Sequence, residues 1–433
     1  MTRTIVVEHL ARIEGHAGIH VTLDAGQVES VRFDVFEGAR LFEGLVRGRP
    51  VGEVAGIVSR VCAICSGNHA ITALLALERA MSIPVSAQTR RLRELAFHGA
   101  AIESHALHVF CLALPDLLGR SSVIELSAIA PQAVAMALRL KKLGNTIQEV
   151  VGGRAVHPVN HALGGFGRLP SLDDLLRLRR DLTEGLEDAA QAIEVLRGVE
   201  IPALSASPIR CAALDPDDDS WFFGASIRLG DEAVIPVNEY RTLTNERTIP
   251  HSTAKHSLAG GRPYMVGALA RLTLNGGRVH GRARDAWTTL GPTMPCGNVI
   301  MNDLAQVVEL VLSIEQGLAI VETLLASGLK PERPPRFEAR GGHGVAASEV
   351  PRGILFHRYE VDASGRIAGA DVITPTAQNC AHVEEQFRLA VAARPGAGDD
   401  ELRRTLEIIA RAYDPCVSCS VHVIRRDRPG EAG

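Results

Sequence analysis

Aromatic residues are scarce in this chain: Phe, Tyr and Trp together make up 4% of it, so any core must be filled by Ala, Leu, Val and Ile. There is no basic excess either. Lys and Arg number 46 against 50 Asp and Glu, a net charge of -4, which argues against a nucleic-acid binder with its concentrated positive face. No apolar run reads as long enough to cross a bilayer. The opening Met1-Thr-Arg-Thr-Ile-Val-Val-Glu8 breaks into charge too soon for a secretory signal. Without such a signal the eight cysteines do not read as a disulfide framework. No internal repeat or low-complexity linker divides the 433 residues. One large domain spanning 1–433, located in the cytoplasm, is the expectation.

What is present is a mainly helical (α+β) pattern. Hydrophobic residues are 46% and charged ones 22%, as in a globular protein with a sizeable core. Residues 1–36 alternate like strands, with Ile5-Val-Val, Gly18-Ile-His-Val-Thr-Leu and Val28 to Phe36 separated by polar turns, and read as a small antiparallel β region. From about Ser66 the period becomes helical. Helices are expected from Ser66 to Ile83, Ser86 to Leu114 (ending at Pro115), Pro131 to Val151, Leu172 to Val199, Asp303 to Ser327 and Asp400 to Ala412. Their length and Ala/Leu content suggest an elongated helical bundle core with small peripheral antiparallel β elements. Gly152 to Pro170, Ile201 to Pro250, Gly291 to Asn298 and Pro331 to Pro351 read as irregular.

Four of the cysteines form two Cys-x-x-Cys pairs, Cys62/Cys65 just before a helix and Cys416/Cys419 near the C-terminus. Each turn sets two sulfurs on one side of a loop, and a following helix N-terminus favours the thiolate form. Four sulfurs suit zinc, iron or nickel. A structural zinc site is the common outcome for such a set, but zinc modules join nearby pairs, and these come from opposite ends of a long chain. A redox dithiol has no βαβ context here. The spacing alone establishes a metal held by four cysteines. Cys111, Cys211, Cys296 and Cys380 read as small buried hydrophobes.

The strings around the pairs go further. Arg60-Val-Cys-Ala-Ile-Cys-Ser-Gly-Asn-His69 and Asp414-Pro-Cys-Val-Ser-Cys-Ser-Val-His422 resemble the two cysteine motifs of nickel–iron hydrogenase large subunits. Arg12-Ile-Glu-Gly-His16 is similar to that family's N-terminal motif, and Arg40-Leu-Phe-Glu-Gly-Leu45 with Gly48-Arg49 follows in order. Gly153-Arg154 with His157-Pro158 and Gly164-Gly165, Glu349-Val-Pro-Arg-Gly-Ile-Leu-Phe-His357 and Thr374-Pro-Thr-Ala-Gln-Asn379 complete the series. Each string is weak alone; seven in sequence are specific.

The resemblance implies that Cys62, Cys65, Cys416 and Cys419 bind nickel. Cys65 and Cys419 would bridge to an iron carrying carbon monoxide and cyanide, and Cys416, terminal on nickel, would accept the first proton. Glu14 would carry that proton away. Arg352, next to Pro351, would hang over the open metal position and donate to cyanide, with Asp414 orienting it. Pro375 and Thr376 would lie beside the iron ligands, and His69 would donate to a bridging sulfur. Glu43, His422 and the carbonyl of Val372 would bind a structural magnesium. Read without the resemblance, Glu14 is a turn carboxylate, Arg352 a loop cation and His69 a packing residue.

One departure stands out. Where many members carry a carboxylate before two histidines, this chain has Ser104-His105-Ala-Leu-His108, so a second brace for the arginine is missing; Glu103 would point elsewhere on the helix, and both histidines read as structural. The resemblance also implies reversible oxidation of hydrogen. No cysteine pattern for an iron–sulfur cluster remains beyond the four metal ligands, so electrons would leave through an iron–sulfur small subunit. From there they would pass through flavin/NAD(P)-type subunits to a soluble carrier, since neither Gly-rich run here has a dinucleotide-site context. Residues 423–433 would be a precursor tail cut after His422 by a maturation protease once nickel-insertion proteins have acted.

Overall fold

The computed structural model of the protein describes residues 2–38, 41–204, 207–217, 220–338 and 340–421. Its centre is a set of long helices, Ala87–Leu107, Pro131–Gly152, Leu172–Arg197 and Met301–Ser327, with Ser66–Met81, Pro375–Ala392 and Asp399–Ala412 packed around them. The sequence marks several starts. Ser86 caps its helix by accepting from the Thr89 N–H at 3.0 Å. Ser171 and Asp174 form a reciprocal capping box, satisfying amides that have no partner inside the helix.

The expected stop at Pro115 does not occur. A wide turn over His108–Ala113 passes the chain into a further helical turn, Leu114–Leu117, with Pro115 at its start, where a missing amide donor costs nothing. Two helices come unusually close. A Cβ on Gly144 would lie 2.5 Å from both the Gly99 carbonyl and the Glu103 amide nitrogen, so the crossing of Ala87–Leu107 and Pro131–Gly152 requires glycine.

Met301–Ser327 is long and apolar enough to cross a bilayer, contrary to the reading that no run reaches that length. Its most apolar window is 72% buried within the protein, because other helices surround it. It is a core helix by that criterion.

The N-terminal β region forms as expected, an antiparallel sheet of Arg3–Val7, Ala17–Asp24 and Gln27–Val35 with Ile5 opposite Val21 and Ile19 opposite Phe33. Three segments read as irregular contain strands instead, the first of them holding the short pair His161–Ala162 and Gly165–Phe166. Ala212–Asp215, Ser226–Leu229 and Ala233–Pro236 form one sheet, and Asn245–Ile249 pairs with Ser252–Leu258. Gly342–Val350 pairs with Gly353–Val361, which pairs with Ile367–Ile373. The glycines that suggested a loop serve packing there: a Cβ on Gly344 would sit 2.1 Å from the Ala76 carbonyl oxygen. The strand thus lies directly on helix Ser66–Met81, the helix that Cys65 opens.

Candidate metal centre

Two similar turns present the cysteines. Cys65 precedes helix Ser66–Met81, with Cys62 three residues earlier; Cys416 precedes the short helix Val417–Ser420, which carries Cys419. The second turn depends on Asp414, whose backbone is left-handed at φ 50°, a conformation Asp tolerates better than most residues. The two turns meet. Cys62 Sγ lies 3.1 Å from Cys416 Sγ, Cys65 Sγ 3.4 Å from Cys419 Sγ, and Cys416 Sγ 2.9 Å from Cys419 Sγ. All four are at most 5% exposed.

Four buried thiols this close cannot all ionise unaided. S–H donation from Cys416, Cys419 and Cys62 holds the Cys65 thiol well below its ordinary range. Burial pushes Cys419 well above it, reinforced by its bonds to the other three. A divalent cation removes the conflict by taking all four as thiolates. The donor set fits soft or borderline metals.

The surrounding residues were nearly all named by the sequence. Arg352 occupies the two-residue turn between Gly342–Val350 and Gly353–Val361, together with Pro351. Its Nε donates to the Asp414 carbonyl at 2.7 Å and its Nη2 to Asp414 Oδ1 at 2.9 Å. Burial opposes its charge, but Asp414 and the nearby cysteine sulfurs outweigh that and hold the guanidinium firmly protonated. Its Nη1 is buried without a hydrogen-bond partner among the described residues, as a donor awaiting an anionic group would be. Thr376 Oγ1 accepts from the Cys416 N–H at 3.1 Å, which leaves its own proton to donate. Pro375 opens the same helix.

Glu14 is the most heavily engaged carboxylate at the site. Its Oε2 lies 3.3 Å from Cys416 Sγ and accepts the Ser418 N–H at 3.0 Å; its Oε1 accepts the Ser418 hydroxyl at 2.5 Å. The Val417 N–H donates to the Glu14 carbonyl at 2.9 Å, so the two ends of the chain are fastened here by backbone as well. Gly15 must be glycine, since a Cβ would stand 2.8 Å from Val417 Cβ. His69 is buried, its Nδ1 3.1 Å from His357 Nε2, while His357 Nδ1 is 2.8 Å from the Tyr359 hydroxyl.

Glu43 and Val372 also meet, through the Val372 N–H donating to Glu43 Oε1 at 2.8 Å. Burial pushes the Glu43 carboxyl up, against that amide and Lys255. His422, Arg40 and the tail 423–433 lie outside the described residues.

The departure at Ser104 has a clear outcome. Ser104 Oγ is buried without a hydrogen-bond partner among the described residues, and Asp414 holds the arginine, itself accepting from Gln306 Nε2 at 3.3 Å. Glu103 points away, to Gln148 at 2.7 Å and Lys141 at 3.3 Å. His105 pairs with Glu309 at 3.1 Å. His108 lies between Gln306 Oε1 at 2.5 Å and the Arg411 carbonyl at 2.8 Å. The sequence reading gave no role to Ser418, His357 or Gln306. Ser418 stands between the second pair of cysteines and His357 ends a quoted motif, so both were in view; Gln306 lies in a featureless helical run.

Residues 40–141 match the nickel-dependent hydrogenase family, and residues 4–37 match a second family described as HoxL-like. The chain is 36% identical to sulfhydrogenase 1 subunit alpha of Pyrococcus furiosus, over 97% of this chain and 98% of that one. It is 25% identical to the NAD-reducing hydrogenase HoxS subunit beta of Cupriavidus necator, over 98% and 96%. The crystal structure of an NAD+-reducing NiFe-hydrogenase in the H2-reduced state matches with a TM-score of 0.84 at 25% identity, covering 97% and 99% of the two chains. The NiFeSe hydrogenase of D. vulgaris Hildenborough, at 20% identity and a TM-score of 0.76, shares the fold.

The chain therefore belongs to the nickel-dependent hydrogenase family. Within it, this is the large subunit of a nickel–iron hydrogenase, an enzyme acting on H2, and its four buried cysteines form a cluster that could hold a metal ion.

Proposed function

We propose that the subunit catalyses reversible cleavage of H2 to protons and electrons, with Cys416 and Glu14 as its proton exit. When bound, the nickel–iron pair supplies the site where hydrogen is split heterolytically and its electrons are drawn off. Cys62 and Cys416 would be terminal nickel ligands, and Cys65 and Cys419 would bridge to an iron carrying carbon monoxide and cyanide. The observation that carries the reading is the contact of Cys416 Sγ with Glu14 Oε2 at 3.3 Å. A proton on that sulfur has a carboxylate within reach, and Ser418 holds the carboxylate in place from both its amide and its hydroxyl. Geometry of this kind is what proton transfer requires.

Arg352 would donate through Nη1 to a cyanide, and Thr376 through its hydroxyl, with Pro351 and Pro375 shaping the dry wall beside them. Burial keeps the Tyr359 phenol protonated. A Tyr359 hydroxyl donating to His357 Nδ1 sets His357 Nε2–H toward His69 Nδ1, leaving His69 Nε2–H to donate to a bridging sulfur. Glu43, the Val372 carbonyl and His422 would hold magnesium near the C-terminus.

Electrons would pass to an iron–sulfur small subunit and then to flavin/NAD(P)-type subunits; the NAD-reducing relatives support a nicotinamide acceptor. Eight buried, unpaired cysteines suit a reducing cytoplasm. A maturation protease, acting after nickel-insertion proteins, would remove 423–433 from the single domain. The test is metal analysis with infrared spectroscopy of the assembled enzyme. Nickel in equal amount to the large subunit, with bands from carbon monoxide and cyanide bound to iron, is expected; zinc in place of nickel, with no such bands, would refute the assignment.

A further inference from the structure

A second group of metal-type ligands lies away from the four cysteines. His251 precedes strand Ser252–Leu258, His256 lies on it, and Glu384 belongs to helix Pro375–Ala392. His251 Nε2 is 2.8 Å from Glu384 Oε1, and His256 Nδ1 is 3.7 Å from Glu384 Oε2. One ligand atom from each of the three lies within 4.8 Å of the others. Ligands at about 2.0–2.2 Å from a tetrahedral zinc stand about 3.3 Å apart, a spacing the observed separations bracket.

An ordinary His–Glu ion pair accounts for His251 and one carboxylate oxygen. It leaves the rest unexplained. His256 is 5% exposed and its Nε2 is buried without a hydrogen-bond partner among the described residues. Asp34, whose charge acts on Glu384, pairs through Oδ2 with His20 at 3.2 Å but leaves Oδ1 buried and without a hydrogen-bond partner among the described residues. The Phe33 N–H, one residue earlier, donates to Glu384 Oε1 at 2.8 Å. Two imidazoles and the Glu384 carboxylate thus converge, with the charge of Asp34 acting on that carboxylate, and a divalent cation would relieve the repulsion between the acids. His251 and Glu384 retain 21% and 19% side-chain exposure, so an ion has a way in.

We propose that His251, His256 and Glu384 form a second metal site for a divalent transition ion, best suited to zinc. Imidazole and carboxylate ligands match that ion, and no reducible group is required. Its role would be structural. The strand bearing His256 also pairs with the C-terminal segment at Ala254–Val421, and the helix bearing Glu384 begins at Pro375 and Thr376 beside the cysteines. An ion here clamps those two elements together at a distance from the chemistry.

The test uses the assembled, nickel-loaded enzyme, incubated with Zn2+ and passed through gel filtration. About one zinc per large subunit is expected in addition to nickel and iron, and it is lost in His251→Ala and in Glu384→Gln with nickel and iron unchanged. Co2+ in place of Zn2+ should give the visible ligand-field bands of low-coordinate cobalt in the wild type and not in either variant. Wild-type enzyme retaining no zinc beyond the nickel and iron, or variants retaining as much as wild type, would overturn the proposal. Should Glu384→Gln fail to fold, His251→Ala on the partly exposed turn decides it alone.

Discussion

At the scale of single residues, Glu14 has a chemical assignment that substitution can separate from a structural one. Gln keeps the size and can accept from the Ser418 amide through its oxygen while its NH2 donates to the Ser418 hydroxyl, but it cannot take up a proton. Glu14→Gln should therefore load nickel and iron normally while hydrogen–deuterium exchange and H2 oxidation fall by about a hundredfold or more, the scale of a positioned acid–base group. Normal turnover in that variant would remove Glu14 from the route. His98 offers a test by pH. It is fully enclosed, stacks edge-on to Phe222 at a centroid distance of 4.9 Å, and neither ring nitrogen has a hydrogen-bond partner among the described residues. Burial pushes its pKa down to about 3. Between about 6.5 and 3 the unfolded chain binds a proton at this position that the folded chain refuses. Stability is whole above 6.5 and falls with decreasing pH through that window, by about 1.4 kcal/mol per pH unit for the one residue. His98→Leu should flatten the acid-side loss of urea stability by that slope; an unchanged slope would show that His98 is not held neutral. The residues gathered around the four cysteines were legible because they lie in short strings, Glu14 in Arg12–His16 and Arg352 in Glu349–His357. Gln306, which positions Asp414, was not, because an amide on a buried helical face carries no local signal.

At the scale of elements, charge and close packing share the work of holding the helices around the site. Arg271 sits fully buried between Glu309 and Glu349, donating to Glu309 at 2.5 and 2.6 Å and to Glu349 at 2.8 Å. It joins helix Ala268–Asn275 to the central helix and to strand Gly342–Val350. Burial raises the Glu309 carboxyl, but Arg271 and His105 outweigh it and bring the value to about 2. Arg271→Met strands two acids in the core and should cost about 3–5 kcal/mol, read as a lowered urea midpoint, whereas an unshifted midpoint would mean the acids find other partners. Gly144 tests packing alone. With a Cβ 2.5 Å from backbone on the facing helix, Gly144→Ala must push two helices apart, and about 3 kcal/mol of destabilisation is expected; a neutral result would contradict the close crossing. Helices with a 3.6-residue period were legible, down to the start at Ser86, though the Ser171 capping box went unread. The sheets inside 201–250 and 331–351 were not, because glycines that permit close contact, such as Gly344 on Ala76, look like loop residues when the partner surface is unseen.

At the scale of the whole molecule, the fold's task is to bring the two ends of the chain to one point. The cysteine pairs are 354 residues apart in sequence, and no local rule places them together; only motif order hinted at it. The structure closes the loop with the Val417 amide on Glu14 and with Val421, 1% exposed, paired to Ala254. The last described residue is thus enclosed, and the sequence that follows it is charged, with Arg425-Arg-Asp-Arg428. Removal of the tail, as proposed above, would let the C-terminal segment settle over the metals, since burying unpaired charge is costly. Intact mass spectrometry of active, nickel-loaded enzyme should give a large subunit ending at His422, and protein made without nickel should retain 423–433. Fully active, nickel-loaded protein still carrying those eleven residues would show that closure does not depend on their removal.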